Sequence, residues 1–414
     1  MVDVSVINPP SSASPEIKPQ MGVHPKLRQL LIPPPIHVED PEPPPSEWIL
    51  LDPYGYLSDR TNATTAGCRR SRRSGRRILV TFWAATPPRV SCFTAHCPGL
   101  EPSAFGDIPK AGAENRPPSL KRVRTPPDLE LYGNDAVLLR CRDRDMFFLA
   151  NLCRAFIVDF KYDKNQFLLH LYSSRTGGWS TRLMNVEAPQ DFNLFSLNKT
   201  IAIGGELSSV GWVDLRRGIL IRDLLLDNHH SLRYIPLPPP LVPEPLRGYP
   251  MYVRNIIVLQ GYIKYFEMHK NFRPCSDPEC TVTVAVGWVA ATKKMKASNV
   301  ATESSWEEDC TIKFDEVPVD SPAYAEMLPD LQRGQDAELT LKRVHAGYPA
   351  LSLHDGDVVY IMHMPDHGVN KASVVAVDMR SKTLKGAADF GGSGRPHLHS
   401  KWDLQTSRHY LVHV

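Results

Sequence analysis

Thr281-Val-Thr-Val-Ala-Val-Gly-Trp-Val289 is the stretch on which the fold class turns. Val282, Val284, Val286 and Trp288 fall on one side of an extended backbone, and Thr281, Thr283, Ala285 and Gly287 on the other. That period of two defines a strand with one face of large residues and one of small. Further runs rich in β-branched and aromatic residues lie at Ile78–Trp83, Ala136–Arg140, Phe147–Ala150, Phe156–Phe160, Phe167–Tyr172, Asn255–Leu259, Tyr262–Phe266, Val358–Met362 and Val374–Val377. Turn formers such as Asp163-Lys-Asn165, Thr176-Gly-Gly178 and Asp355-Gly-Asp357 separate them. Helix signals are few. Ser321–Arg333 is the best, cut to about two turns by Pro329, and Arg222–Leu225 is a second short candidate. The expected class is all-β.

Internal echoes turn that class into a repeat. A strand ending in Val-Asp, then an apolar residue, then a base recurs at Val158-Asp-Phe-Lys161, Val213-Asp-Leu-Arg216 and Val377-Asp-Met-Arg380. Val-Gly-Trp-Val occurs at 210–213 and again at 286–289. An aspartate after a strand needs no catalytic explanation, because its carboxylate accepts backbone N–H groups in a turn. Propeller blades of four strands take roughly 40–50 residues, so six or seven fit into the chain beyond the tail described next. The reading is a β-propeller-like fold with a disordered, proline-rich N-terminal tail. Trp48, Trp83, Trp179, Trp212 and Trp288 are expected in its core.

Proline draws the boundaries. The 414 residues hold 38 prolines, roughly 9% against a usual value of about 5%. Twelve lie in residues 1–46, which contain no aromatic residue; such a segment cannot offset its ordering entropy by burial and reads as disordered. The division is then a tail over 1–46, a propeller-like domain over 47–390 and a C-terminal segment over 391–414 able to close the last blade. Nine more prolines lie in 87–127 and seven in 236–250. Proline cannot donate to a sheet ladder, so these two stretches are expected as connections between blades or along sheet edges. For 236–250 the alternative is a polyproline ligand for an aromatic groove.

The net charge of +3 is concentrated in one place. Residues 69–77 read RRSRRSGRR, and without those six arginines the chain has 42 basic against 45 acidic residues. Arg69, Arg70, Arg72, Arg73, Arg76 and Arg77 suit a nuclear-import signal, an anion-binding loop or simply a solvated loop tip. A nucleic-acid footprint would spread bases over a face, so nucleic acid is not the expected partner. MVDVSVINPP lacks a signal peptide's charged and apolar regions, and Val282–Ala291 is about half the length of a membrane span. Eight cysteines in a chain of cytoplasmic or nuclear address are expected as thiols.

Trp48-Ile-Leu-Leu-Asp52, Thr61-Asn-Ala-Thr-Thr65, Val80-Thr-Phe-Trp83, and above all Gly211-Trp-Val-Asp-Leu-Arg-Arg-Gly-Ile-Leu220 with Leu232-Arg-Tyr-Ile-Pro-Leu-Pro238, resemble the plant domain-of-unknown-function family numbered 1618, expanded in grasses. The resemblance is most specific over 211–238 and weaker from Trp48 to Phe390. It implies a plant protein, intracellular, with a propeller-like fold akin to domains that follow F-boxes or kelch repeats. It implies no activity and no site.

Chemical motifs are sparse. Gly391-Gly-Ser-Gly-Arg395 breaks the nucleophile-elbow pattern at its fifth position, and no phosphate loop, dinucleotide fingerprint or H-E-x-x-H occurs. Cys92 and Cys97 beside His96, and Cys275 with Cys280, are pairs too far apart in sequence to read as a structural zinc site. His354, His363 and His367 around one strand, and His397 and His399 near the end, read as surface or hydrogen-bonded histidines. Asp355 and Asp357 read as a turn. No catalytic residue, metal or cofactor is expected. The function expected is a non-enzymatic interaction module with a protein partner and no membrane. Alternatives are substrate recognition for a ubiquitin ligase through a separate adaptor, an enzyme with its site in a central channel, and a nuclear regulator using the arginine tract. Deleting residues 1–46 should leave the thermal unfolding midpoint unchanged; a lower midpoint would show that the tail makes core contacts.

Overall fold

In the computed structural model, strands carry nearly all the regular structure. The structure describes residues 48–52, 55–69, 77–99, 136–141, 146–157, 161–187, 196–226, 230–243, 245–246, 248–274, 283–298, 305–328, 340–344, 346–363, 372–390 and 405–408, with Val123 and Phe192. The predicted tail over 1–46 lies outside them. The chain divides into two compact units, one of residues 1–123, 271–288 and 313–414, the other of residues 124–270 and 289–312.

The first unit opens with β1 (Trp48–Leu51), β2 (Tyr56–Leu57), β3 (Ala66–Arg69), β4 (Arg77–Trp83) and β5 (Val90–His96). β3, β4 and β5 pair antiparallel in order, and β1 and β2 each join β5 in parallel. β5 corrects the reading of 87–127 as connection. Pro87, Pro88 and Pro98 flank this strand, and the proline density of the window hid a seven-residue run without proline.

The second unit is built of successive meanders. β6 (Ala136–Cys141), β7 (Met146–Ile157), β8 (Lys161–Ser173) and β9 (Gly178–Glu187) pair antiparallel in order, as do β10 (Lys199–Gly204), β11 (Ser209–Asp214), β12 (Gly218–Asp223) and β13 (Ser231–Pro236). β13 joins β9 in parallel, giving one eight-stranded sheet. Its first and last strands approach each other, and Thr200 Oγ1 donates to Ala136 O at 3.3 Å, so the sheet nearly closes. A third meander follows, with its residues 271–288 and Lys313 assigned to the first unit: β14 (Arg254–Leu259), β15 (Tyr262–Pro274), β16 (Thr283–Lys296) and β17 (Glu307–Lys313). β14 lies beside β10, where Lys199 Nζ donates to Asn255 Oδ1 at 2.8 Å. The first strands of three consecutive meanders are therefore neighbours, the relation of one propeller blade to the next.

The first unit resumes with a short helix α1 (Pro322–Met327), the meander β18 (Ala346–Leu351), β19 (Val358–His363), β20 (Ser373–Asp378) and β21 (Thr383–Asp389), and β22 (Gln405–Arg408), which pairs antiparallel with β1. The fold is thus all-β and propeller-like, and among the described residues no helix is long and apolar enough to cross a membrane. Five blade-like groups take up the described strands where length arithmetic gives six or seven. Strands of twelve to fourteen residues, β7, β8, β15 and β16, use more chain per group than an average blade.

Two cores in the second unit explain the most distinctive sequence. Val210, Trp212, Leu220 and Leu232 face one core with Leu152, Phe167 and Met184. Val213, Ile219, Ile221 and Ile235 face the other with Ile256, Ile263 and Met295. The β10–β13 sheet is sandwiched, so β12 is buried along its whole length, apolar Ile219-Leu-Ile221 and charged Arg222 and Asp223 alike. This overturns the helix expected at Arg222–Leu225: Arg222 pairs with Val210 in the ladder and is buried. A Cβ at Gly218 would collide with the Tyr234 ring and the Ile235 carbonyl, so only glycine lets β13 approach. The expected helix over 321–333 is described as one turn and a half, Pro322–Met327, with 329–333 outside the described residues.

The deciding strand is present as β16, with a kink. Gly287 has φ +144°, a conformation side-chain-bearing residues rarely adopt, and it falls where the alternation of large and small residues gives way to buried Trp288, Ala290 and Ala291. Trp288 Nε1 donates to Val344 O at 2.7 Å. Of the other tryptophans, Trp212 is completely buried, Trp83 and Trp179 are half-buried, and the Trp48 side chain lies outside the described residues. Trp212→Ala should cost about 3–5 kcal/mol in urea unfolding, the cost of an emptied aromatic site; an unchanged midpoint would contradict the packing.

Candidate functional site

The aspartate of the repeated motif does in two places what its position implies. Asp214 Oδ1 accepts from the Arg216 N–H at 2.8 Å, and Asp378 Oδ1 accepts from the Arg380 and Ser381 N–H groups at 3.0 and 2.9 Å. Asp159 lies outside the described residues. Val213-Asp214 ends β11, the second strand of its meander. Val377-Asp378 ends β20, a third strand, so there the motif is the same turn device out of phase. Val-Gly-Trp-Val is likewise split between a second strand, β11, and a third, β16.

The base of the motif has a separate role. Arg380 grips Asp357, with Nε to Oδ2 at 2.6 Å and Nη2 to Oδ1 at 3.0 Å, so the Asp355-Gly-Asp357 turn is a tied connection. Arg216 reaches across to the proline-rich connection between β13 and β14, donating to Leu246 O at 2.8 Å and to Gly248 O. That connection is pinned along its length. Trp306 Nε1 donates to Pro236 O at 2.9 Å, the Leu237 N–H to Arg217 O at 2.9 Å, Lys293 Nζ to Pro239 O at 3.2 Å, and the Leu241 N–H to Glu267 Oε2 at 3.1 Å. The backbone bends at Leu241, Val242 and Pro243, so the strap is not one straight polyproline helix. Pro239, Pro240, Pro243 and Pro245 point to solvent, and Tyr249 is 57% exposed, edge-on to Tyr252.

The third meander carries two charge centres, of which the first touches the strap through Glu267 and the second includes half-exposed Lys294. Arg254 Nη2 and Glu267 Oε1 pair at 2.7 Å, each side chain 8% exposed, and Arg254 Nη1 also donates to Leu215 O at 2.9 Å. Burial pushes the neighbouring Tyr265 phenol well above its ordinary pKa. In the second centre Asp309 meets Lys264 at 2.7 Å and Lys294 at 3.0 Å. Burial alone would raise the Asp309 pKa; hydrogen bonds and charge from the two lysines outweigh it and hold it at about 2. Both centres are ion pairs internal to the sheet.

The residues singled out in the sequence do not converge. Arg69 ends β3 and Arg77 begins β4, paired directly opposite each other, so the arginine tract is the connection of a hairpin. Arg77 is exposed; Arg70, Arg72, Arg73 and Arg76 lie outside the described residues. Cys92 and Cys97 are buried thiols in and just after β5, whereas Cys275, Cys280, His367, His397 and His399 lie outside the described residues. His363 is buried at the end of β19 and His354 sits in the following turn region after β18. Among the described residues no three histidine, cysteine or acidic side chains gather as metal ligands would.

One constellation escaped the sequence altogether. Cys153 on β7, His170 on β8 and Thr181 on β9 meet across three adjacent strands: Cys153 Sγ lies 3.5 Å from His170 Nε2, and His170 Nδ1 lies 2.9 Å from Thr181 Oγ1. Burial lowers the His170 pKa. Spacings of 17 and 11 residues carry no motif; only the registers of β8 with its two neighbours bring the three together.

Asp309→Asn would leave buried Lys264 without its anionic partner and should cost about 3–5 kcal/mol. Because the Asp309 pKa is depressed in the folded state, the stabilisation it supplies is complete above the unfolded value of 3.8 and is lost as pH falls toward about 2. The loss amounts to about 2 kcal/mol. In acid titrations the gap between wild type and variant should narrow by about 2 kcal/mol as pH falls to that value; parallel curves would contradict the assignment.

Among solved structures, the chain is similar to the NanB sialidase of Streptococcus pneumoniae at 9% identity and TM-score 0.33, over 82% of this chain and 64% of that one. It is also similar to the hydrazine synthase of Kuenenia stuttgartiensis, at 10% identity and TM-score 0.25 over 57% and 50% of the two chains. A third is apo AztD of Citrobacter koseri, at 9% and 0.26 over 81% and 60%. The chain spans less than two thirds of the length of each. No curated protein matches the chain. Residues 212–360, from Trp212 in the sandwiched sheet to Tyr360 in β19, match the model of the family described as "Protein of unknown function (DUF1618)", the family that the 211–238 block resembles.

Proposed function

We propose that this chain is a non-enzymatic protein-interaction module and that the strap over 236–250 is where its protein partner docks. The observation that carries the reading is the division of labour in that strap. Its backbone is held by Arg216, Glu267, Lys293 and Trp306, while Pro239, Pro240, Pro243, Pro245 and Tyr249 face outward and Pro238 and Pro250 are buried beneath. A loop already ordered before binding loses little entropy on complex formation, and prolines with a tyrosine offer apolar area at low rotamer cost. The matching partner surface is a shallow apolar pocket that receives Tyr249 and the turn at Leu241–Pro243. A cytoplasmic or nuclear setting and a role in substrate recognition for a ubiquitin ligase remain compatible with this surface and are not needed for it.

A photo-crosslinking phenylalanine derivative at position 249 should give a discrete, reproducible protein adduct in cells that express the chain, and the same group at Ser180 on β9 should not. Arg216→Ala should weaken capture roughly tenfold, because freeing the equivalent of one strap residue returns about 1–2 kcal/mol of ordering cost to the binding step. Equal adducts at both positions, or none at 249 in folded protein, would refute the proposal.

A further inference from the structure

The sheet face that carries Cys153, His170 and Thr181 is the one turned away from the Trp212 core, since Phe167 and Leu169 on alternate positions of β8 point into that core. The three side chains have the nucleophile, base and orienting-group arrangement that activates thiols. Sγ is within reach of Nε2 at 3.5 Å, and the other ring nitrogen is fixed by the Thr181 hydroxyl at 2.9 Å. A second observation points to something that binds beside them. Asn151 stands on the same face, two residues before Cys153 and directly across from His170 in the ladder. It is 1% exposed, and its Oδ1 is buried without a hydrogen-bond partner among the described residues. An unfilled buried acceptor destabilises the fold, so the site is short of one O–H or N–H donor. Cys153 itself is half-buried, within reach of a small reagent.

We propose that Cys153 is an oxidation site that hydroperoxides convert reversibly to a sulfenic acid. The thiol proton passes to His170 Nε2, which burial keeps neutral and so free to accept, and which lies 3.5 Å from Sγ. The thiolate attacks the terminal peroxide oxygen; the S–O bond forms as the O–O bond breaks. The proton on His170 then leaves with the departing oxygen as water or an alcohol. Sulfur is oxidised by two electrons and the peroxide reduced by two. The new S–OH is the missing donor, and Asn151 Oδ1 is the acceptor available to it. A thiol reductant returns the cysteine.

The test treats the folded full-length protein with micromolar hydrogen peroxide in the presence of dimedone, which traps sulfenic acids, and quantifies adducts peptide by peptide. Cys153 should label well ahead of Cys310, the other half-buried thiol among the described residues, and a thiol reductant added before dimedone should abolish the signal. His170→Gln should slow labelling of Cys153 at least about tenfold. Thr181→Val, at an exposed position that tolerates change, should slow it by a smaller factor with an unchanged melting midpoint. The proposal is overturned if wild-type Cys153 labels no faster than Cys310, or if both variants label at the wild-type rate.

Discussion

The buried pair Arg254–Glu267 is the interaction on which the arrangement of the second unit rests. Its two side chains touch four separate pieces of chain. Arg254 holds the carbonyl of Leu215 in the β11–β12 turn; Glu267 takes the amide of Leu241 in the strap and the hydroxyl of Tyr265, and the pair itself links β14 to β15. Two charges taken out of water are tolerated because the Glu267 carboxylate accepts four hydrogen bonds and the Arg254 guanidinium donates three. The consequence is geometric. The turn that ends the sandwiched sheet and the strap that leaves it are fixed relative to the next meander, and Arg216 and Trp306 complete the fixation from either end.

That arrangement explains why the block from Gly211 to Pro238 is the most distinctive part of the chain. It encodes a strand pair buried on both faces, a turn closed by Asp214, a glycine where Tyr234 and Ile235 pass, and the start of the strap. Each requirement is stereochemical and none is catalytic. The strap that results is held through its backbone and exposes Pro239, Pro240, Pro243, Pro245 and Tyr249.

Much of the fold was legible because strands announce themselves locally. The alternation at 281–289, the β-branched runs and the proline clusters needed no knowledge of neighbours, and the turn role of Asp214 and Asp378 followed from one side chain and the next two amides. Where the reading failed, the deciding fact was not local. β5 lay unseen within a proline-rich window, and Arg222 read as helical because a buried arginine in a ladder has no sequence signature. The Cys153–His170–Thr181 cluster and the Arg254–Glu267 pair, 17, 11 and 13 residues apart, exist only through strand register. The strap was correctly placed as a connection, but its anchoring could not be foreseen, since its partners lie as far away as Trp306.

The central claim is that the strap is held in place by the sheet beneath it before any partner arrives. Amide hydrogen exchange at Leu241 tests this most directly, because its only strap-to-core bond is to Glu267 Oε2 among the hydrogen bonds described for that amide. The account predicts that Leu241 is protected in the isolated protein, together with Leu237, and that Glu267→Gln releases Leu241 first. Exchange of Leu241 at the rate of an unstructured chain in the wild-type protein would contradict it.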